Sequence, residues 1–303
     1  MQKNIIRYPG VSFKPEAVIE KINGSLSTGR YLEIPIRTDK EIQKLKISGG
    51  ICAKILDEIS PYVQPGVTKK ELNDRIQDLI LNKYKAEIDR LETDAATSAG
   101  NRISACFGHN NIIVNAVPDD EPLKIGDLFG IDISVKKNGW CGDTRKSWIV
   151  GTEASPSTLN LFTVSHQAMW LAIGMVKNGV KVQDIAIAVE KFANQRGCQM
   201  LKSPKIFAGH ALGQLHLDGW LIPLYKSPVN EGRILKTGMV ITIETFMSAG
   251  SGEAVLLTNS LGSGATKDDS YACYWEHAVA VTDNGCEILD LRADEEANWQ
   301  KDF

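Results

Sequence analysis

The sequence lacks any Cys-x-x-Cys pair. Its six cysteines, at 52, 106, 141, 198, 273 and 286, are scattered along 303 residues. That spacing argues against a zinc knuckle and a disulfide framework alike; reduced thiols of a cytoplasmic protein are the expectation. Charge of one sign is also missing. The 34 Lys and Arg nearly balance the 37 Asp and Glu, for a net −3, so bulk electrostatics offers nothing to a nucleic-acid partner. No apolar run reaches the ~18 residues of a membrane span. The opening MQKNIIRYPG has no apolar core of the signal-peptide kind. What is present is ordinary globular composition, 43% hydrophobic and 23% charged, long enough for a sizeable core in one large domain or two medium ones.

Residues 1–36 carry several Pro and Gly breakers and read as an extension ending in a short strand near Tyr31–Ile36. Thr38-Asp-Lys-Glu41 and Thr68-Lys-Lys-Glu71 are capping boxes, each opening an amphipathic helix. Residues 85–104 read as a polar loop and 106–117 as extended chain. Ser155-Pro156 starts a helix running to about Val176, and another begins near Val182, with Gly197 as its C-terminal cap. Strands follow at Met239–Phe246 and Tyr271–Val281, separated by a Gly/Ser-rich insertion at 249–264, and a last short strand is expected at Glu287–Leu291.

The most informative stretch is GDLFGIDISVKKNGWCGDTRKSWIVG, from Gly126 to Gly151. Asn138-Gly139 between two apolar runs predicts a two-residue hairpin turn. That turn pairs Lys137 with Trp140, sets Asp143 opposite Ser134, and puts Asp132 diagonally beside Asp143 on the same face, ~7–8 Å away. Two carboxylates on one face of an apolar hairpin repel unless a cation lies between them. Two solvated aspartates on an outer face are the alternative.

An internal repeat supplies the rest. VQPGV at 63–67 matches VKNGV at 176–180, and LKIGDLFGID at 123–132 matches LKTGMVITIE at 235–244, with offsets of 113 and 112 residues. The second match sets Glu244 in the place of Asp132, and the next acid on an apolar strand is Glu276. Two related halves would each bring two acids to a shared central sheet. Four inward carboxylates call for more than one cation, which suggests two divalent ions ~3.5–4 Å apart. Oxygen-rich ligation with one imidazole favours Mn, Fe, Co or Zn over copper. Among the five histidines, His210 and His216 in AGHALGQLH are the best ligand candidates, because glycines permit close approach. His277 follows Glu276 on a strand and so faces the other way, in a structural or supporting role. His109 and His166 carry no signal.

The ordered contexts GIDISV, CGDTRK, AGHALG, ITIET and WEHAVAVTDNGCEIL resemble the methionine aminopeptidase family over about Ile34 to Leu291. The resemblance implies an α+β pita-bread fold, two pseudo-symmetric αβ halves around a central antiparallel sheet. Residues 1–36 would be an extension to a single catalytic domain at 37–303, with halves at about 37–151 and 152–295. It further implies that Asp132, Asp143, His210, Glu244 and Glu276 bind two divalent ions. Asp143 and Glu276 bridge them, and Ser134 takes the place of a supporting threonine. His216 would contact the scissile peptide, Glu244 would shuttle the proton from a metal-bridging hydroxide, and Cys106 would line the side-chain pocket.

Three departures from that pattern bear on substrate. The family's other catalytic histidine falls at Asn115, which can donate a hydrogen bond but cannot carry a proton near neutrality. The family's pocket tryptophan falls at Gly262, and Ala99–Ser104 has no aromatic where the family has a tyrosine-bearing loop. The catalytic set is then His216, Glu244 and Asn115, and the substrate-binding set Cys106, Asn115, His216 and Gly262. A metallo-aminopeptidase removing N-terminal methionine is the expected function. The other readings are a binuclear enzyme of the same fold, repurposed for a small amino-acid-derived substrate by hydrolytic or iron-dependent oxidative chemistry, and a non-catalytic binding module. Retention of all five ligands speaks against the last.

Overall fold

The structure is a computed structural model describing residues 33–89, 103–202, 207–257 and 263–295. Its N-terminal part opens with helices α1 (Asp39–Ile59) and α2 (Lys69–Asp78). The box at α2 closes as the sequence indicates: the Glu71 N–H donates to Thr68 Oγ1 at 3.1 Å and the Thr68 N–H to Glu71 Oε2 at 2.9 Å. Strands β1 (Glu87–Ile88), β2 (Cys106–His109) and β3 (Ile112–Val114) lead to the long hairpin of β4 (Leu128–Lys137) and β5 (Trp140–Ile149). The C-terminal part has helices α3 (Pro156–Met175) and α4 (Val182–Asn194). Strands β6 (Gln199–Met200), β7 (Gly209–His210), β8 (Leu221–Ile222), β9 (Val240–Glu244) and β10 (Met247–Ser248) come next. The chain continues through β11 (Ala254–Leu256), β12 (Gly264–Thr266), β13 (Ala272–Cys273), β14 (Glu276–Val281) and β15 (Cys286–Ile288).

Among the described residues ten strands form one antiparallel sheet, in the order β11-β12-β3-β2-β4-β5-β14-β15, with β1 on β4 and β9 on β14. The central hairpin has the expected register, Lys137 against Trp140 and Ser134 against Asp143. Its turn places both Asn138 and Gly139 at positive φ, 52° and 78°, as a turn matching strand twist requires. The second hairpin, β9 with β14, pairs Glu244 directly with Glu276. The two hairpins join where Glu276 pairs with Arg145 of β5. One core cluster holds α1 and α2 against β2, β4 and neighbours; another holds α3 and α4 against β9 and β14.

Gly142 decides how closely α1 covers the central hairpin. A Cβ there would lie 2.3 Å from the Ser48 carbonyl carbon and 2.4 Å from the Gly49 nitrogen, so only glycine lets the helix backbone rest on the strand. Ser48 Oγ then donates to the Trp140 carbonyl at 2.8 Å. The helix therefore clamps the residue immediately before Asp143.

Several local expectations are corrected. Residues 106–117 are not one extended run: Asn110, at φ 54°, turns the chain into the β2–β3 hairpin. The polar loop at 85–104 contributes β1, which adds to β4. The Gly/Ser-rich insertion carries β11, which pairs with β12. Tyr271–Val281 is two strands, broken at Tyr274-Trp275. Residues 33–36 are not strand, and the last strand is Cys286–Ile288. Among the described residues no helix is long and apolar enough to cross a membrane.

Candidate metal centre

The four acids and one histidine come from five strands. Asp132 lies on β4, Asp143 on β5, His210 on β7, Glu244 on β9 and Glu276 on β14. Alternation turns the four acids to one face of the ten-stranded sheet, and His210 comes from the separate β7–β8 pair laid beside it. Their ligand atoms assemble in overlapping sets, each within 4.8 Å: Asp132, Asp143 and Glu276; His210, Glu244 and Glu276; and Asp143, His210 and His216. Glu276 is common to the first two sets, and Asp143 links the first to the third. Shared carboxylates are what two adjacent cations need.

Supporting contacts orient these groups. Ser134 Oγ donates to Asp143 Oδ1 at 2.6 Å. Thr242 Oγ1 donates to Glu244 Oε1 at 2.7 Å and accepts the His210 N–H at 2.9 Å. His210 Nδ1 lies 3.2 Å from the Ala211 carbonyl, so the proton belongs on Nδ1 and the Nε2 lone pair faces the acids. Nε2 is 3.4 Å from Asp143 and 3.7 Å from Glu244. Tyr274 Oη donates to Asp132 Oδ2 at 2.9 Å.

Electrostatics separates the acids. Burial, then repulsion from Asp143, pushes Asp132 up to about 7 and drives Glu276 well above the carboxylate range. Glu244 is raised well above its ordinary value for the same two reasons. Asp143 goes the other way: burial opposes ionisation, but the His216 and His210 imidazoles and the Ser134 hydroxyl outweigh it. The residues fit divalent cations on a second count. Asp132 Oδ1 and Glu276 Oε1 are buried and have no hydrogen-bond partner among the described residues, an arrangement that costs free energy unless something positive meets them.

His216 sits beside this cluster, Nε2 3.6 Å from Asp143 and ring centroid 4.7 Å from that of His210. Its Nδ1 faces Asp89 Oδ2 at 3.7 Å, a charge contact too long for a hydrogen bond. Although burial lowers the imidazole's basicity, Asp143 and Asp89 raise it to about 9. Cys106 is paired in register with Asp132. Asn115, at φ 56°, donates its N–H to Cys106 Sγ at 3.3 Å. Gly262 and residues 99–102 lie outside the described residues. His277 does face away: its Nδ1 is 2.7 Å from Asp290 and its Nε2 3.0 Å from the Arg292 guanidinium, in a buried network.

Asp89, Tyr274, Thr242 and Arg145 were not singled out in the sequence. Thr242 could have been found, since it stands two residues before Glu244 and so shares its face of β9. Asp89 could not: it lies in a polar stretch, and its partner His216 is far along the chain.

The chain matches the model for metallopeptidase family M24 over residues 43–283. It is 34% identical to the methionine aminopeptidase of Escherichia coli (strain K12) over 268 residues, covering 87% of this chain and 96% of that one. It is 30% identical to that of Rickettsia prowazekii (strain Madrid E), covering 86% and 96%. The crystal structure of methionine aminopeptidase from Rickettsia prowazekii superposes with a TM-score of 0.77 at 31% identity, covering 86% of this chain and 100% of that one. A prolidase from Pyrococcus furiosus has the same fold at a TM-score of 0.61 and 18% identity, covering 93% of this chain and 74% of that one.

Proposed function

The chain belongs to metallopeptidase family M24, and from that premise we infer that it is a metal-dependent aminopeptidase that removes the N-terminal residue of a peptide, methionine foremost. The observation that carries this reading is the pair of overlapping acid-rich sets joined at Glu276. We assign two divalent ions to them, held by Asp132, Asp143, His210, Glu244 and Glu276, from among Mn, Fe, Co and Zn. Ions bound there make water acidic and polarise the peptide carbonyl. Glu244, fixed at one oxygen by Thr242, takes the proton of the attacking water and passes it to the departing amide nitrogen. His216, held between Asp89 and Asp143, donates toward the scissile peptide. Cys106 faces the substrate side chain, and the Asn115 amide, whose N–H donates to Cys106 Sγ, faces the peptide beside it. The pseudo-symmetric halves act as one catalytic domain, whose core also takes in Ile34.

The test is release of methionine from Met-Ala-Ser by purified protein loaded with each metal in turn. Turnover that chelator abolishes is expected. Metal uptake with no methionine released would sink this reading and leave the small amino-acid-derived substrate standing.

Asn115 supports a second prediction. A histidine there would add a donor that also carries a proton, and its left-handed backbone is one that histidine tolerates. One such partner is worth on the order of 10²-fold in rate. Asn115→His is expected to raise kcat on Met-Ala-Ser by roughly tenfold or more; an unchanged kcat would show that Asn115 serves something other than the peptide.

A further inference from the structure

We propose that Tyr274 is a positioning residue for Asp132: its phenol holds Oδ2, so that Oδ1 is the oxygen the cation meets. The proposal rests on the reading of Asp132 as a metal ligand. It comes from a row of groups beside the metal centre, on the same face of the sheet, that the chemistry above does not use.

The hydroxyl of Tyr274, a buried residue, is 2.9 Å from Asp132 Oδ2, while Oδ1 is buried without a partner among the described residues. A phenol next to a carboxylate can only donate, so Oδ2 is occupied and the carboxylate plane is set. The phenol itself cannot swing away. Its ring lies against Phe246, with centroids 4.1 Å apart, and over the Arg145 guanidinium, whose central carbon is 3.6 Å from the ring centroid. Arg145 Nε also donates to the Tyr274 carbonyl at 3.1 Å, and Ser147 Oγ to the same carbonyl at 2.8 Å.

The sheet is built to admit this arginine. Gly108 and Gly130 face each other across β2 and β4. A Cβ on the first would come 2.3 Å from Arg145 Nη2, and on the second 2.1 Å. Two glycines in paired central strands forgo side-chain packing, and here the space they leave is filled by the guanidinium. The buried cation stacks under the aromatic face and fixes the ring whose far end orients the metal ligand. Glycine pair, guanidinium, phenol and carboxylate thus form one chain of contacts along the face of the sheet that carries the acids. Partners that orient a metal-ligating side chain are worth about 10–100-fold in metal affinity or activity when removed.

The experiment is a titration of metal-stripped full-length protein with Co(II), followed by visible absorption and by calorimetry. It compares wild type, Tyr274→Phe, Arg145→Lys and Asp132→Asn. Tyr274→Phe keeps the ring, and it is expected to bind one of the two ions roughly 10–100-fold more weakly. Its Co(II) spectrum should be altered, and kcat should fall more than KM rises. Arg145→Lys keeps the charge but loses the planar surface under the ring, and should shift the same quantities in the same direction by less. If Tyr274→Phe and Arg145→Lys bind Co(II) with wild-type affinity and spectrum while Asp132→Asn does not, the positioning role is wrong and the metal centre stands. Wild-type binding by Asp132→Asn as well would overturn the metal-centre reading itself. Should Tyr274→Phe fail to unfold cooperatively, folded Arg145→Lys decides by the same criteria.

Discussion

Asp143→Asn is expected to lower kcat/KM on a methionyl peptide by roughly 10³-fold or more. With Glu276, Asp143 is one of the two acids that stand in two ligand sets. It stands in the set with Asp132 and Glu276 and again in the set with His210 and His216. It accepts from Ser134 at 2.6 Å, and it is the acid kept ionised while its neighbours are pushed toward protonation. A carboxylate shared by two cations, the place the resemblance implies for Asp143, must offer an anionic oxygen to each. Asparagine offers one neutral oxygen, and its amide group would point N–H donors at a cation or an imidazole. The loss should therefore appear as lost metal as well as lost rate. Asp127→Asn is the matched control. Asp127 is an acid bonded to His109, Asn110 and the Lys124 N–H, outside the three ligand sets, and its replacement should leave kcat/KM within about threefold. An Asp143→Asn protein with wild-type metal content and turnover would remove the central acid from the mechanism.

How much of this centre could be read beforehand follows the range of the contacts. The hairpin was legible because Asn138-Gly139 permits one turn, and that turn dictates every pair down to Leu128 and Ile149. Glu244 was legible because a repeat at a fixed offset carries Asp132's place into the second half. Asp89 was not. Its meeting with His216 depends on β1 adding to β4, and a two-residue strand leaves no periodic trace. Tyr274 was hidden by a break in regular structure: β13 ends at Cys273 and β14 begins at Glu276, so alternation does not say where the intervening side chains point. The Gly108–Gly130 slot was invisible for a different reason. A glycine in a strand signals a close approach by something, but the approaching group, Arg145, is named only once three strands are aligned. The β11–β12 hairpin was obscured by Gly and Ser, which read as loop wherever they cluster.

Stripping the metal should make stability fall steeply as pH rises, and reloading should reverse the trend. In the stripped protein, burial and then Asp143 hold Asp132 at about 7 and keep Glu244 and Glu276 raised. The unfolded chain titrates the same carboxyls near ~4. Above that pH the unfolded state has released protons that the folded state still binds, so stability decreases with pH. The contribution of each raised carboxyl is complete below its unfolded value and is lost as pH climbs through its folded one, near 7 for Asp132. His216, raised to about 9, adds a loss of the same sign above the ordinary imidazole range. Asp89, held at about 2 by His216 against the effect of burial, and Asp143, also depressed, have the opposite sign. Their losses come as pH falls through their low folded values, so they do not act between pH 5 and 9. Cations reverse the balance because coordination requires ionised carboxylates, so metal binding releases protons and strengthens with pH. At a free metal concentration about 1,000 times Kd, loading adds roughly 4 kcal/mol, on the order of 10 °C in melting temperature for a chain of this size. Thermal unfolding at pH 5, 6, 7 and 8, with manganese or with chelator, reads both effects together. The gap between the two curves should be small at pH 5 and widen with each step. A gap that is constant, or that narrows toward pH 8, would mean that the cations do not sit among these carboxylates.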